Sequence, residues 1–333
     1  MRIFVCEYVT GGGLCGQPLP ASLSREGDMM LTALVNDLAA LDGIEIVTSR
    51  DARLPALLAP AEVLTIDEPG EFWPRWAEMI RSADAVWPIA PESGGILARV
   101  CELAVDAGRR LLASDPQSVR LTTSKLATAQ HLAMAGIPTV PTAPLGDWEA
   151  FGKASAWVVK PDDGAGAENT LLFEAFDELD RWIAASPNSD MILQPYVSGP
   201  AASLSLLCRD GAAWLLTCNE QLIEISGNEF RYRGGVVGGR EARRAEYQPI
   251  ASAVAAAIPD LWGYVGVDLI DSSEGPVVLE INPRLTTSYA SLRRAIGVNP
   301  SGLVLDLLNR QIPDIQRPLQ VTPQRVDVEL SDG

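Results

Sequence analysis

Residues 263–284 read Gly263-Tyr-Val-Gly-Val-Asp268-Leu-Ile-Asp-Ser272-Ser-Glu-Gly275-Pro-Val-Val-Leu-Glu280-Ile-Asn282-Pro283-Arg284. Two β-rich runs flank a short polar turn, so the segment predicts an antiparallel hairpin. A three-residue loop Ser273-Glu274-Gly275, ending on glycine where positive φ is wanted, sets Asp268 opposite Glu280. Side chains alternate along a strand, so Glu280 and Asn282 share a face. Opposed carboxylates on a half-buried sheet repel unless a cation lies between them. With an amide oxygen beside them and no soft ligand, the metal set Asp268, Glu280 and Asn282 suits Mg²⁺ held against phosphates, with Mn²⁺ as its substitute. A two-residue turn gives the other register, in which Asp268 faces away and Glu280 is a surface carboxylate.

Upstream, the apolar strand Ala156–Lys160 opens into Pro161-Asp-Asp-Gly164-Ala-Gly166-Ala167. Backbone N–H groups from Gly164 to Ala167 can approach phosphate oxygens closely, and Lys160 adds a point charge. The same Lys-Pro and Gly-x-Gly pattern also occurs in ordinary turns. Lys125 falls in a helix expected from Pro116 to Gly136, where glycine followed by Ile137-Pro138 ends it. A lysine there is equally a solvated face residue. Beyond the loop the sequence predicts a strand near Thr170–Phe173, a helix near Phe176–Ala185 and a strand Met191–Tyr196. Antiparallel strands Ser203–Cys208 and Trp214–Cys218, a glycine-rich loop Arg233–Gly239 and a helix Tyr247–Ile258 complete the reading.

The first ~115 residues alternate short apolar runs with helical periodicity, the signature of βαβ units and a parallel sheet. Strands are expected at Arg2–Val9, Ile44–Thr48, Ala85–Ile89 and Arg110–Ala113, with helices at Gly27–Leu41, Glu71–Arg81 and Ile96–Ala107, the first capped at Ser22 or Ser24. The fold class is therefore α/β grading into α+β: a Rossmann-like parallel domain over 1–115, then two further lobes over 116–197 and 198–333. The 333 residues are 47% hydrophobic, enough for several cores. A net charge of −17 argues against nucleic acid as partner. No run approaches the roughly 18 apolar residues of a membrane span, and Glu7 interrupts any leader, so a cytoplasmic protein without a membrane partner is expected. Five unpaired cysteines suggest neither disulfides nor zinc, and the single His131, in a helical run, excludes a histidine triad.

Taken together, these motifs resemble the ATP-grasp superfamily over roughly residues 115–310. The resemblance implies that Lys125 and Lys160 clamp ATP, that Gly164 and Gly166 cradle its phosphates, and that Gln194, Tyr196 and Val197 form the adenine hinge. It also implies that Asp268, Glu280 and Asn282 hold the metal and that Arg284 is the catalytic cation beside the γ-phosphate and the tetrahedral oxyanion. Two positions depart from the pattern: Gln194 replaces a common hinge glutamate, and Ala201 a ribose-binding acid. Gly266 stands where the D-alanine ligase branch carries arginine.

Phe4-Val-Cys-Glu7-Tyr8-Val-Thr-Gly11-Gly-Gly13, with Glu26-Gly27-Asp28-Met29-Met30, is similar to the narrower branch of tyramine–glutamate ligases of methanofuran biosynthesis. This resemblance implies an ATP-dependent carboxylate–amine ligase that forms an acyl phosphate and releases ADP and phosphate. Its small-molecule partners would be glutamate or a like acid and a primary amine; a homodimer is allowed. Arg233 with Arg293 or Arg294 is expected to hold the acid, Tyr8, Tyr289 or Trp87 to line the amine, and the loops 164–167 and 233–239 to act as lids. The alternatives are a nucleotide-binding regulator without chemistry, and a carboxylase or ligase acting on another acid.

Overall fold

The computed structural model describes residues 1–147, 151, 154–164, 167–186, 190–309 and 319–328. Its N-terminal part runs β1 Arg2–Glu7, α1 Ala21–Ala39, β2 Glu45–Asp51, β3 Glu62–Ile66, α2 Phe72–Ser82, β4 Ala85–Ile89, α3 Ile96–Asp106 and β5 Arg110–Leu111. The strands pair in parallel in the order β3-β2-β1-β4-β5. Because the chain leaves β1 on one side and returns as β4 on the other, a crevice opens beyond their carboxyl ends, the place where open α/β sheets receive ligands. Ile3, Phe4, Val5 and Cys6 are fully buried, as both sheet faces are covered.

Several boundaries differ from the sequence reading. Helix α1 starts at Ala21 with Pro20 in the cap position; neither serine caps it, and Ser24 donates back to the Pro20 carbonyl at 2.9 Å. Its buried face is Leu31, Leu34, Val35 and Leu38, each contributing on the order of 1.5–3 kcal/mol. β1 ends at Glu7, and Val9–Gly13 forms a wide helical turn with Gly12 at φ 101°. β3 is an addition to the expected strands: an edge strand with four of its five side chains at least partly exposed carries little apolar alternation.

Where one helix is expected through Gly136, there are two, α4 Pro116–Thr123 and α5 Lys125–Met134. Ser124 adopts an extended conformation between them and its hydroxyl accepts from Ala127 N, an N-cap hidden inside a helical periodicity. There follow β6 Ala143–Pro144, β7 Trp157–Pro161, β8 Leu171–Phe173, α6 Phe176–Ala185, β9 Met191–Pro195, β10 Ala201–Arg209, β11 Ala212–Ser226 and β12 Glu229–Val237. The chain continues as α7 Arg244–Ala257, β13 Gly263–Ser272, β14 Gly275–Asn282, α8 Tyr289–Ile296, α9 Pro300–Leu308 and β15 Gln324–Asp327. His131 Nε2 lies 2.8 Å from the Ala257 carbonyl, tying α5 to α7.

These later strands form one large sheet in the order β14-β13-β10-β11-β12-β8-β7-β9-β6, with β15 on β12. Its halves join narrowly, through the Glu229–Leu171 pair. The expected glycine loop 233–239 is instead largely strand β12, paired with both β11 and β15. A Cβ on Gly234 would run into the Val326 carbonyl, so its glycine permits close backbone approach rather than lid motion. No helix among the described residues is long and apolar enough to cross a membrane.

Candidate active site

The hairpin β13–β14 turns through Ser273-Glu274, with Ser272 paired to Gly275, which is the two-residue turn. Alone, that register would set Leu279 opposite Asp268. A bulge at Leu279 inserts one residue, so that Asp268 pairs with Glu280, Val267 with Ile281 and Gly266 with Asn282. The opposed carboxylates are thus present because of the bulge and not the loop length, although Gly275 does take φ 119°. Asn282 Nδ2 lies 3.3 Å from Asp268 Oδ2; a half-turn of the amide presents its oxygen instead. Gly266 has no room for a side chain, since a Cβ would come within 2.7 Å of Thr286 Cγ2.

The cap break at Ser124 makes Lys125 the first residue of α5. Lys125 N donates to the Asp162 carbonyl at 3.1 Å and Leu126 N to Asp162 Oδ1 at 2.8 Å, so the residue after β7 caps the helix. Lys125 Nζ donates to the carbonyls of Asp162 and Gly164 and stands 3.7 Å from Glu280 Oε2. Lys160, at the end of β7, is 6% exposed. Burial pushes its amine down to about 8, while Glu280 pulls it up and Lys125 pushes it down. Burial, and then the charge of Glu280, hold Asp268 well above the usual carboxylate range. Burial also pushes Glu280 upward, but Lys125 and Lys160 outweigh it and leave Glu280 below its ordinary value. The pair therefore favours a single negative charge until a further cation joins it.

Asp268, Glu280 and Asn282 are oxygen donors on adjacent strands, which fits a hard divalent ion. No cluster of three His, Cys, Asp or Glu is found among the described residues, so such an ion would need substrate oxygens to complete its shell. A cavity of about 480 Å³ opens over this set. Lys160 and Arg284 line it beside the carboxylates, with Gln194, Tyr196 and Val197 along one side. Gln194 Nε2 donates to Thr142 Oγ1 at 2.8 Å. Arg284 reaches across to the N-terminal sheet, where its Nε and Nη2 donate to Glu92 Oε2 at 2.9 and 2.8 Å.

The family model described as ATP-grasp domain matches residues 122–288, half of the chain, and that described as pre ATP-grasp 3 domain matches residues 44–119. The chain belongs to the ATP-grasp family. It is 24% identical over 303 residues to a tyramine–L-glutamate ligase of Methanocaldococcus jannaschii, covering 90% of this chain and 86% of the relative. A solved structure from Archaeoglobus fulgidus, assigned to the ATP-grasp superfamily, superposes with TM-score 0.71 at 23% identity, covering 98% and 92% of the two chains. The biotin carboxylase domain of Hydrogenobacter thermophilus 2-oxoglutarate carboxylase, in complex with MgADP, superposes with TM-score 0.72 at 15% identity, covering 96% and 72%.

The ATP-grasp cleft gathers eight of the eleven residues singled out from the sequence. Lys125 stands behind its wall against Glu280, Gly164 is held by Lys125, and Gly166 lies outside the described residues. Other expectations fail. Arg293 pairs with Asp37 at 3.1 Å and Arg233 with Glu224 at 2.7 Å; Arg233, Arg293 and Arg294 line neither this cleft nor its neighbour. Tyr8 packs among Phe72, Trp73 and Trp76, Trp87 is core, and Tyr289 hydrogen-bonds Asp37 and Ser301, so core packing claims all three expected lining aromatics. The aromatics that do line the ATP-grasp cleft are Tyr196, Phe230 and Tyr232, the last bonded to Thr287 Oγ1 at 2.9 Å. Glu26 and Gln221 stand out in the sequence only as parts of a resemblance and Glu92 not at all, because their roles come from contacts distant in sequence: Glu26 lines the cleft, Gln221 bonds Asp268 and Glu92 bonds Arg284.

Proposed function

We propose that this ATP-grasp protein is an ATP-dependent carboxylate–amine ligase working through an acyl phosphate, with domains at 1–115, 116–197 and 198–333. Glutamate or a like acid would be the donor and a primary amine such as tyramine the acceptor, as in methanofuran-type cofactor synthesis. The observation that carries the reading is the convergence of Lys160, Arg284 and the Asp268–Glu280 pair on one cleft, with Lys125 behind it. The 24% identity to a tyramine–L-glutamate ligase over nearly the whole chain supports the substrate class.

Asp268, Glu280 and Asn282 would hold Mg²⁺, which supplies neutralisation of ATP phosphate charge when bound. Lys125 and Lys160 would hold and neutralise the phosphates, while Gln194, Tyr196 and Val197 would take the adenine. Arg284 would steady the γ-phosphoryl as it moves to the carboxylate oxygen, then the oxyanion formed by amine attack. The closed cleft would keep water from the acyl phosphate. The test is ADP release from Mg-ATP with a panel of amino acids and small amines, followed by mass analysis of the product. Amide formation from glutamate and tyramine is expected. Activity with bicarbonate or D-alanine pairs, and none with glutamate, would remove the substrate assignment and leave the family standing.

Lys160 yields a further expectation. Lys160→Ala should weaken nucleotide binding roughly ten- to a hundredfold, the scale of a charged hydrogen bond in a partly desolvated site. In the free protein this amine titrates near about 8, and phosphate beside it favours the charged form, raising the value in the complex. ADP affinity is therefore full below about 8 and declines as the pH rises beyond it. Calorimetry over a pH series checks both; an affinity insensitive to pH and to the substitution would return Lys160 to a structural role.

A further inference from the structure

Beyond β14 the chain keeps the alternation of a strand. Ile281, Pro283, Leu285 and Thr287 are buried, whereas Asn282, Arg284, Thr286 and Ser288 are half-buried and line the cleft. Thr286 therefore shares its side of the chain with Arg284, two residues before it. Gly266, which pairs with Asn282, leaves the Thr286 side chain its seat: a Cβ at 266 would come within 2.7 Å of Thr286 Cγ2. With the methyl packed there, the hydroxyl lies 3.0 Å from the hydroxyl of Tyr264.

Tyr264 is the middle of a row of polar groups beneath the cleft. Its oxygen lies 2.9 Å from Ser205 Oγ, and Asn219 Nδ2 lies 3.1 Å from that same Oγ. The three residues come from β13, β10 and β11 and are at most 3% exposed, so water does not interrupt the row. A hydroxyl carries one hydrogen, and the direction of such a row is set by whichever end is locked. Here the locked end is Asn219. Its Oδ1 accepts from Gly238 N at 3.0 Å, so the side that faces Ser205 is Nδ2, which can only donate.

Ser205 thus accepts from Asn219, and its one other partner among the described residues is Tyr264. If Tyr264 donated to Ser205, the Ser205 hydrogen would stay buried with no acceptor, a costly arrangement. The bonds therefore run from Asn219 to Ser205, from Ser205 to Tyr264 and from Tyr264 to Thr286, each oxygen receiving one hydrogen and giving one. Thr286 is last in the row. It has no other side-chain partner among the described residues, so its own hydrogen remains unused where the residue lines the cleft beside Arg284.

We propose that the Thr286 hydroxyl is a second donor, with Arg284, to the transferring phosphoryl group, and that Asn219, Ser205 and Tyr264 are positioning residues that turn its hydrogen toward the cleft. The proposal rests on the reading of this cleft as the site of phosphoryl transfer. A donor oriented before the charge develops needs no reorganisation as the charge appears.

The experiment is calorimetry on the full chain saturated with Mg-ADP, with orthovanadate as the probe for the phosphoryl group. Thr286→Val keeps the methyl over Gly266 and removes the hydroxyl; it should weaken vanadate binding roughly ten- to a hundredfold and leave Mg-ADP affinity as in the parent. Thr286→Ser restores the donor and should restore vanadate affinity. Tyr264→Phe breaks the same buried bond from its other side but leaves the Thr286 hydroxyl in place, so it should lower the melting temperature as Thr286→Val does and keep most of the vanadate affinity. A parent that binds no vanadate, a Thr286→Val protein that binds it as the parent does, a Thr286→Ser protein as weak as the valine variant, or an equal loss in Tyr264→Phe overturns the proposal. Ligation is scored separately by ADP release, where Thr286→Val should lower kcat and leave KM for ATP unchanged. A vanadate response without ligation removes the ligase reading alone, and ligation indifferent to Thr286→Val removes this inference alone.

Discussion

Glu280→Ala is expected to abolish ADP production while the protein stays folded. The carboxylate is only partly packed; its side chain is 14% exposed, and its neighbours are Asp268 across the hairpin and Lys125 at 3.7 Å. Burial and, after it, the charge of Glu280 hold Asp268 upward; removing Glu280 relieves the second of these and gives up its attraction to Lys125 and Lys160, so the two effects on stability oppose each other. A net change within about 1 kcal/mol is expected, as for substitutions that leave no cavity in an apolar core. Turnover has no such compensation. The donor set would lose one of its two carboxylates, and the charge stabilisation a metal brings to phosphoryl transfer is worth several kcal/mol, or on the order of a thousandfold or more in rate. Glu280→Gln keeps the shape and should fail as completely, because the charge is what is needed. The checks are ADP release at saturating Mg²⁺ and a thermal melt on the same preparation. Wild-type ADP release from a well-folded Glu280→Ala protein would dismiss the metal assignment.

How much of the site is legible in the sequence depends on how local each cause is. The hairpin, its two carboxylates and Asn282 are contiguous in the chain, and alternation alone brings them to one face. The device that sets their register is not legible: a bulge at Leu279 depends on which residues of β13 it must meet. Lys125 is ambiguous because Ser124 reads equally well as a helix interior or a cap. Only the hydrogen bond from Leu126 N to Asp162, thirty-six residues away in sequence, makes the break visible. Gly234 suggests a mobile loop, since a glycine that admits a neighbouring strand looks the same in sequence as one that bends. The acid- and amine-binding expectations fail for a similar reason. The arginines close in sequence to the site are spent on Asp37 and Glu224 and the ring of Tyr8 on an aromatic cluster, whereas Glu92, the partner of Arg284, lies 192 residues earlier, just after β4. Glu7 and Gly27 stand out in the sequence only as parts of a resemblance; their mutual packing is a tertiary fact.

Arg284→Ala is expected to lower turnover about a hundred- to a thousandfold, the cost of one donor aimed at developing oxyanion charge. The same substitution should also destabilise the protein, because Glu92 would keep a buried carboxylate with neither oxygen hydrogen-bonded among the described residues. Breaking one side of a buried pair costs about 3–5 kcal/mol, more than an exposed bridge could. These two losses must be separated, since Arg284 joins β14 to the N-terminal sheet and a loosened junction alone could slow the enzyme. Arg284→Met combined with Glu92→Gln removes both charges and leaves groups of similar volume. That double variant should recover most of the melting temperature and none of the turnover. Arg284→Lys keeps a charge without the two-pronged grip on Glu92, and should sit between the two in both measurements. If turnover returns together with stability in the double variant, Arg284 serves to dock the domains and the oxyanion must be stabilised elsewhere.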